Sequence, residues 1–371
     1  MKTIIIYSNK LKNYDFGEGH PFRSDRFEKF LELFREKLGK DERFKLIENI
    51  TLATDGELKL WHSKDYIKAM KDASRGKIVS NLFRFISGDN VNPSTKKLPQ
   101  GIEEGARAIV KNSLLAIDYI QQNKTEKAVS IGGGLHHATS GYGQGFCVYN
   151  DVVIAAKYAI EKYNLKRVLI LDTDAHAGNG TSEAFYSDPK VLFIDTHQRG
   201  IYPGTGSVDE IGEGKGKGFT VNLPLEAGTG DKAYELIFDE IIFPLAREYK
   251  PHMIIRYGGS DPYFNDGLTD LGLTLEGFKM IGKKVREISS ELCDNRSVDL
   301  ICSGYNLEVL PKVWLILVAA ISGVKINFKE SAPDIKNRRI TETRNLIKKV
   351  KEKLAPYWKS IKGETREIYW K

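Results

Sequence analysis

The sequence predicts an α/β protein with a central, mostly parallel sheet flanked by helices. Three observations lead there: short apolar runs recur, amphipathic helical patterns separate them, and glycines cluster just beyond several of the runs. Strands buried on both faces read as continuous apolar runs, and strand–helix alternation favours parallel pairing. In chain order the runs are residues 3–7, 128–131, 168–171, 191–194, 253–256 and 300–302. Between the first two, Phe27, Phe30, Leu31, Phe34 and Leu38 recur at helical spacing after a Ser24 or Asp25 cap. Gly132 to Gly134 follow the second run, Gly178 and Gly180 the third, Gly258 and Gly259 the fifth, and Gly304 the sixth. Residues 204–218 predict a long surface loop, and the apolar stretch 314–324 a buried helix too short to span a bilayer. No composition break, repeat or low-complexity linker divides the chain, so residues 1–371 are expected to form one domain with a charged helical segment over 336–371.

A content of 41% hydrophobic residues in 371 is ample for a large core. Three cysteines, Cys147, Cys293 and Cys302, make no even-numbered disulfide framework, and no secretory signal is read at the N-terminus. A reducing, cytoplasmic location is expected, with no membrane span. The net charge of +7 raises the question of a nucleic-acid partner, but the basic residues are scattered and concentrate mainly towards the C-terminus, which reads as a solvated face. Such a balance does not steer a cationic substrate.

In open parallel sheets ligands bind beyond the carboxyl ends of the strands, so the polar residues there carry the search for chemistry. Asp174 and His176 follow the third run two residues apart, and in extended chain both point to one side. A carboxylate and an imidazole on one face make half a zinc-type site. Asp261, after the fifth run and Gly258-Gly259-Ser260, can supply the third ligand and leave positions open for water and a carbonyl oxygen. An isolated Asp-x-His pair is more often a turn; the adjacent His136 and His137 after a glycine run strengthen the catalytic reading, because hydrolysis needs a base for water and an acid for the leaving amine. Tyr305 after the last run could donate to an oxyanion, although a tyrosine beside glycine also packs.

Taken with these residues, the chain resembles the zinc-dependent histone deacetylase superfamily, which includes acetoin-utilisation proteins and acetylpolyamine amidohydrolases. The resemblance runs through Gly19-His20-Pro21, Gly132 to His137, Gly145-Phe146-Cys147, the Asp172 to Gly180 segment, Tyr202 to Gly206, Asp261 and Gly304-Tyr305. It implies the arginase/deacetylase fold and one Zn2+ per chain on Asp174, His176 and Asp261. It further implies that His137 transfers protons, His136 is its electrostatic partner and Tyr305 polarises the scissile carbonyl. The substrate would be an acetylated protein or a small acetylated amine, the first expectation being the N-acetyl amide of acetyl-lysine. Gly134, Phe146 and Tyr202 would line the acyl-amine tunnel, with Leu268 at its rim and Asp89 binding substrate backbone. Asp172 and Asp195 match ligands of a structural K+, and Arg26 an internal acetate channel.

Two departures stand out: Asn179 replaces a frequent aspartate beside the second histidine, and Ala177 replaces a frequent histidine. A neutral Asn179 stabilises imidazolium less than a carboxylate would, which predicts a lower pKa for His137. Three other readings remain in view: a two-manganese ureohydrolase, a non-hydrolytic acyl-lysine binder, and an amidohydrolase acting on acetylpolyamines or other small acyl amines. Gly178 and Tyr263 stand where a second metal would need carboxylates, and the complete set of triad, histidines and tyrosine speaks against mere binding.

Overall fold

The computed structural model describes residues 2–362, and eight strands in it form a single sheet. These are β1 (Thr3–Tyr7), β2 (Phe44–Glu48), β3 (Lys127–Ile131), β4 (Val168–Asp172), β5 (Val191–Gln198), β6 (Thr220–Leu225), β7 (Met253–Tyr257) and β8 (Ser297–Ile301). Their order is β2-β1-β3-β8-β7-β4-β5-β6, and every pairing is parallel. All carboxyl ends therefore lie on one edge.

Alternation along each strand builds two cores. Leu169, Leu171, Leu192, Ile194 and Ile254 face one layer, whereas Val168, Ile170, Val191, Phe193 and Ile255 face the other. Each such fully buried aliphatic side chain contributes about 1.5–3 kcal/mol relative to exposure. The connecting helices are α1 (Asp25–Lys37), α2 (Asp55–Leu58), α3 (Lys64–Ser74), α4 (Ile102–Gln121), α5 (Asp151–Tyr163), α6 (Asn179–Phe185), α7 (Asp231–Ile237), α8 (Phe243–Tyr249), α9 (Leu275–Leu292), α10 (Leu310–Ile321) and α11 (Ile340–Leu354). Helix α10 is buried at every position but Lys312, with Trp314 against Phe27 and Phe30 of α1, as the apolar stretch predicts.

The differences from the sequence reading have local causes. The unread strands β2 and β6 are the two edges of the sheet: FKLIE alternates charge with half-buried positions, and TVNLPL carries Pro224, which an edge tolerates. Strand β8 begins at Ser297 and ends at Ile301, earlier than the run 300–302, because its polar residues Ser297 and Asp299 hide an otherwise buried strand. Ser24 occupies the cap position of α1 without capping it; its hydroxyl donates instead to Asp15 Oδ2 at 2.8 Å. The 204–218 segment is a loop with one short turn, partly packed through Gly206 and Ile211. Of the charged segment 336–371, residues 340–354 are helical, and 363–371 lie outside the described residues.

Candidate active site

Four adjacent strands, β3, β8, β7 and β4, end side by side, and each delivers one part of the site. The turn after β4 carries Asp174 and His176; that after β7 carries Asp261. Their ligand atoms all lie within 4.8 Å of one another, and they are the one such group of three among the described residues. His176 Nδ1 stands 3.1 Å from Asp174 Oδ1 and 3.2 Å from Asp261 Oδ2. Both carboxylates are buried and braced. The Asp174 backbone N–H donates to Asp172 Oδ1 at 2.9 Å, Ala175 N–H donates to Asp261 Oδ2 at 3.1 Å, and Ser303 Oγ donates to Asp261 Oδ1 at 2.6 Å.

Two buried carboxylates around one imidazole demand positive charge. Burial and the Asp174 charge raise the Asp261 pKa; for His176, burial is outweighed by the two carboxylates, which push it up to about 10. A divalent cation with oxygen and nitrogen preference satisfies that demand, so the donor set fits the expected metal. Gly178 explains why no further carboxylate crowds it: a Cβ there would sit 2.7 Å from Asp172 Oδ2 and 3.2 Å from His136 Nδ1.

The turn after β3 brings His136 and His137 to the same cavity. His136 Nδ1 is 2.9 Å from Asp172 Oδ2, His137 Nδ1 is 2.8 Å from Asn179 Oδ1, and the two Nε2 atoms are 3.1 Å apart. With each Nδ1–H donating to its oxygen partner, one proton can be shared between the facing Nε2 atoms. Burial, followed by the neighbouring His136 and His176, holds the His137 pKa well below its ordinary value, while the hydrogen bond to Asn179 works in the opposite direction. Burial likewise lowers His136.

Tyr305 follows β8 and lines the same cavity with Gly134, Phe146, Cys147, His176 and Cys302. Burial raises its phenol well above the usual range, so it stays a donor. Phe146 packs edge-on to Tyr305 with centroids 5.9 Å apart, and Tyr202 edge-on to His137 at 5.0 Å. Phe146 adopts φ +64, which a bulky residue takes only when its surroundings enforce it. Tyr14 does so, its hydroxyl donating to Phe146 O at 2.6 Å and accepting from Val148 N–H at 3.0 Å. Tyr202 and Leu268 are exposed at the surface, whereas the half-buried Asp89 spends Oδ2 on the Gly145 N–H at 3.0 Å. Asp172 and Asp195 are register partners on β4 and β5, both buried, and Asp195 also pairs with His197 Nδ1 at 2.9 Å. Burial and the Asp195 and Asp174 charges raise Asp172 well above the carboxylate range. Arg26, fully buried, donates to the carbonyls of Cys302 at 3.2 Å and Gly304 at 3.0 Å behind Tyr305.

Several residues of the site escaped the sequence reading. Asp151 accepts from the N–H groups of Gly134 at 3.0 Å and Leu135 at 2.8 Å and so shapes the turn before the histidines. Asp266 accepts from Leu268 N–H at 3.0 Å and Tyr305 N–H at 2.7 Å, tying the rim to the phenol's backbone. His20, read only as part of a motif, bonds Asp89 O through Nε2 at 2.9 Å and meets Phe146 edge-on with ring centroids 4.6 Å apart. None of these announces its role by spacing, because the bonds to the Gly134 turn, to Tyr305 and to Asp89 all join segments far apart in sequence.

A wholly parallel eight-stranded sheet with helices on both faces is the arginase-like α/β architecture. The HDA15 HD domain shares this fold, with a TM-score of 0.82 over 97% of this chain and 98% of that one at 23% identity. The family model for the histone deacetylase domain matches residues 20–321, and the chain belongs to that family. A probable deacetylase of Archaeoglobus fulgidus is 32% identical over 373 residues, covering 98% of this chain and all of that one. The acetoin utilization protein AcuC of Staphylococcus aureus (strain MRSA252) is 36% identical over 84% of this chain and 80% of its own length, and that of Bacillus subtilis 32% over 87% and 82%. Family membership makes the protein a deacetylase-type hydrolase of amides. Among the described residues no helix is long and apolar enough to cross a membrane.

Proposed function

We propose that the chain, as one catalytic domain over residues 1–371, is a zinc-dependent deacetylase acting in the cytoplasm. It hydrolyses the N-acetyl amide of acetyl-lysine in protein or peptide to the free amine and acetate. The observation that carries this reading is convergence: Asp174, His176, both histidines and Tyr305 line one cavity, with Asp261 bonded behind it. Zinc on Asp174, His176 and Asp261 would supply Lewis acidity towards the amide carbonyl and a more acidic water.

The rest of the chemistry falls to the side chains. His137, neutral and with Nε2 free of Asn179, takes a proton from the attacking water as the C–O bond forms. It returns that proton to the nitrogen as the C–N bond breaks, with His136 and Asp172 stabilising the charge meanwhile. Tyr305 donates to the carbonyl oxygen as negative charge develops there. Phe146, Tyr202 and Gly134 confine the apolar stem of the lysine, and Leu268 and Asp89 meet the polypeptide outside. Asp172 and Asp195 would hold a structural K+ with backbone carbonyls, in keeping with two buried carboxylates side by side.

The basic balance of the chain favours a peptide over an acetylpolyamine, which is itself a cation. Acetate release from acetyl-lysine peptides, acetylated polyamines and longer acyl-lysines, compared on zinc-loaded protein, tests the reading. Peptides should be turned over most efficiently. Preference for a polyamine would move the assignment to a small-amine amidohydrolase, and release from none of them would leave a binding protein.

A further inference from the structure

Strands β7 and β8 each carry one charged residue in the middle of a buried sheet. Arg256 and Asp299 are register partners and both are wholly inaccessible to solvent. Arg256 Nε donates to Asp299 Oδ1 at 2.8 Å. The other end of the guanidinium reaches out of the pair: Nη1 donates to Gly258 O at 2.9 Å and to Thr173 Oγ1 at 3.3 Å. Thr173 immediately precedes Asp174, and Gly258 opens the turn that leads to Asp261. Thr173 N–H also donates to Tyr257 O at 2.9 Å, so the two turns are stitched together at this point.

Stability does not account for such a pair. Desolvating two charges offsets most of their attraction, and apolar replacements of similar volume are often neutral or stabilising. This pair is also incompletely satisfied, since Arg256 Nη2 and Asp299 Oδ2 are buried without a hydrogen-bond partner. What the guanidinium does that an apolar side chain cannot is hold the carbonyl of one turn and the hydroxyl of the other at fixed separation. A metal site needs its donors placed to within roughly 0.2 Å.

We infer that Arg256, aimed by Asp299, is a positioning residue that sets the spacing between the β4 and β7 turns and thereby the affinity of Asp174, His176 and Asp261 for a divalent metal. The inference rests on the metal reading of that triad. Zinc affinity, measured by chelator competition on the purified full chain, and thermal stability of the metal-free protein test it together. The double variant R256M/D299L removes the pair without leaving an orphaned charge. It should melt at or above the wild-type temperature yet bind zinc about 10- to 100-fold more weakly, the range typical of residues that orient metal ligands. R256K keeps the charge but lacks the fork that reaches both turns, and should lose affinity by a smaller factor. A folded double variant with wild-type zinc affinity overturns the inference. Should the double variant not fold, wild-type affinity in R256K overturns it equally. Wild-type protein that binds no divalent metal would instead remove the metal reading on which it rests.

Discussion

The floor of the cavity and its rim are held by different means. At the floor, Asp261 is fixed by Ser303, Ala175 and His176, His137 by Asn179, and His136 by Asp172, in buried or partly buried surroundings. At the rim, Tyr202 and Leu268 are 42% and 44% exposed; the Tyr202 hydroxyl makes one long bond, 3.4 Å to Gln144 Oε1. A floor fixed by many bonds suits a reaction in which atoms must be placed to tenths of an ångström. A rim with few bonds can vary without disturbing it. On this view reaction class resides in the floor and substrate choice in the rim.

Substitutions that separate the two regions test that division. The largest effect is expected from Asp261→Ala, which removes a donor and leaves His176 with Asp174 as its one carboxylate partner; metal content should fall with activity, and turnover should be lost for every acyl amine alike. Persistent activity in metal-free protein would break the scheme. Tyr305→Phe keeps the ring and deletes the donor, so metal content should hold while kcat falls on the order of 10² to 10³ for all substrates. Near-normal turnover would make Tyr305 a packing residue.

Asp266 joins the regions and should show an intermediate effect. Burial pushes it up to about 6 against the backbone N–H groups that lower it, so the carboxylate holding Tyr305 is present above that pH and lost as pH falls through it. Asp266→Asn should reduce kcat on the order of tenfold, the worth of one charge-assisted hydrogen bond, and should flatten the acid limb of its pH profile near that value. A profile identical to wild type would show that the carboxylate does not act through Tyr305. The smallest effect belongs to Leu268→Ala: kcat/KM should change by less than about tenfold, since a half-exposed side chain contributes less than a buried methylene or two. The factor should differ between peptides and polyamines. An equal loss for both would place Leu268 with the floor.

The legibility of the chain follows the same divide. Six of the eight strands announce themselves because their residues are buried on both faces and therefore apolar, and the glycines after them mark where the chain turns. Asp174, His176, Asp261, His136, His137 and Tyr305 are readable because each lies directly after such a run. The edge strand Phe44–Glu48 lacks that constraint, Thr220–Leu225 is buried but interrupted by Asn222 and Pro224, and Asp299 and Ser297 conceal the start of β8. Asp151, Asp266 and Tyr14 are invisible for another reason, as the bonds by which they shape the site, to Leu135, Tyr305 and Val148, span 16 to 134 positions.

By itself, then, the sequence determines the α/β class, the strand ends that carry chemistry and the residue types needed for amide hydrolysis, because burial and turn formation are local demands on composition. Only the tertiary structure decides the strand order that sets β3, β8, β7 and β4 side by side, the left-handed Phe146 that Tyr14 secures, and the bracing of both acidic turns by Arg256. Those depend on which distant segments the sheet makes neighbours, and no periodicity within a segment encodes its neighbour.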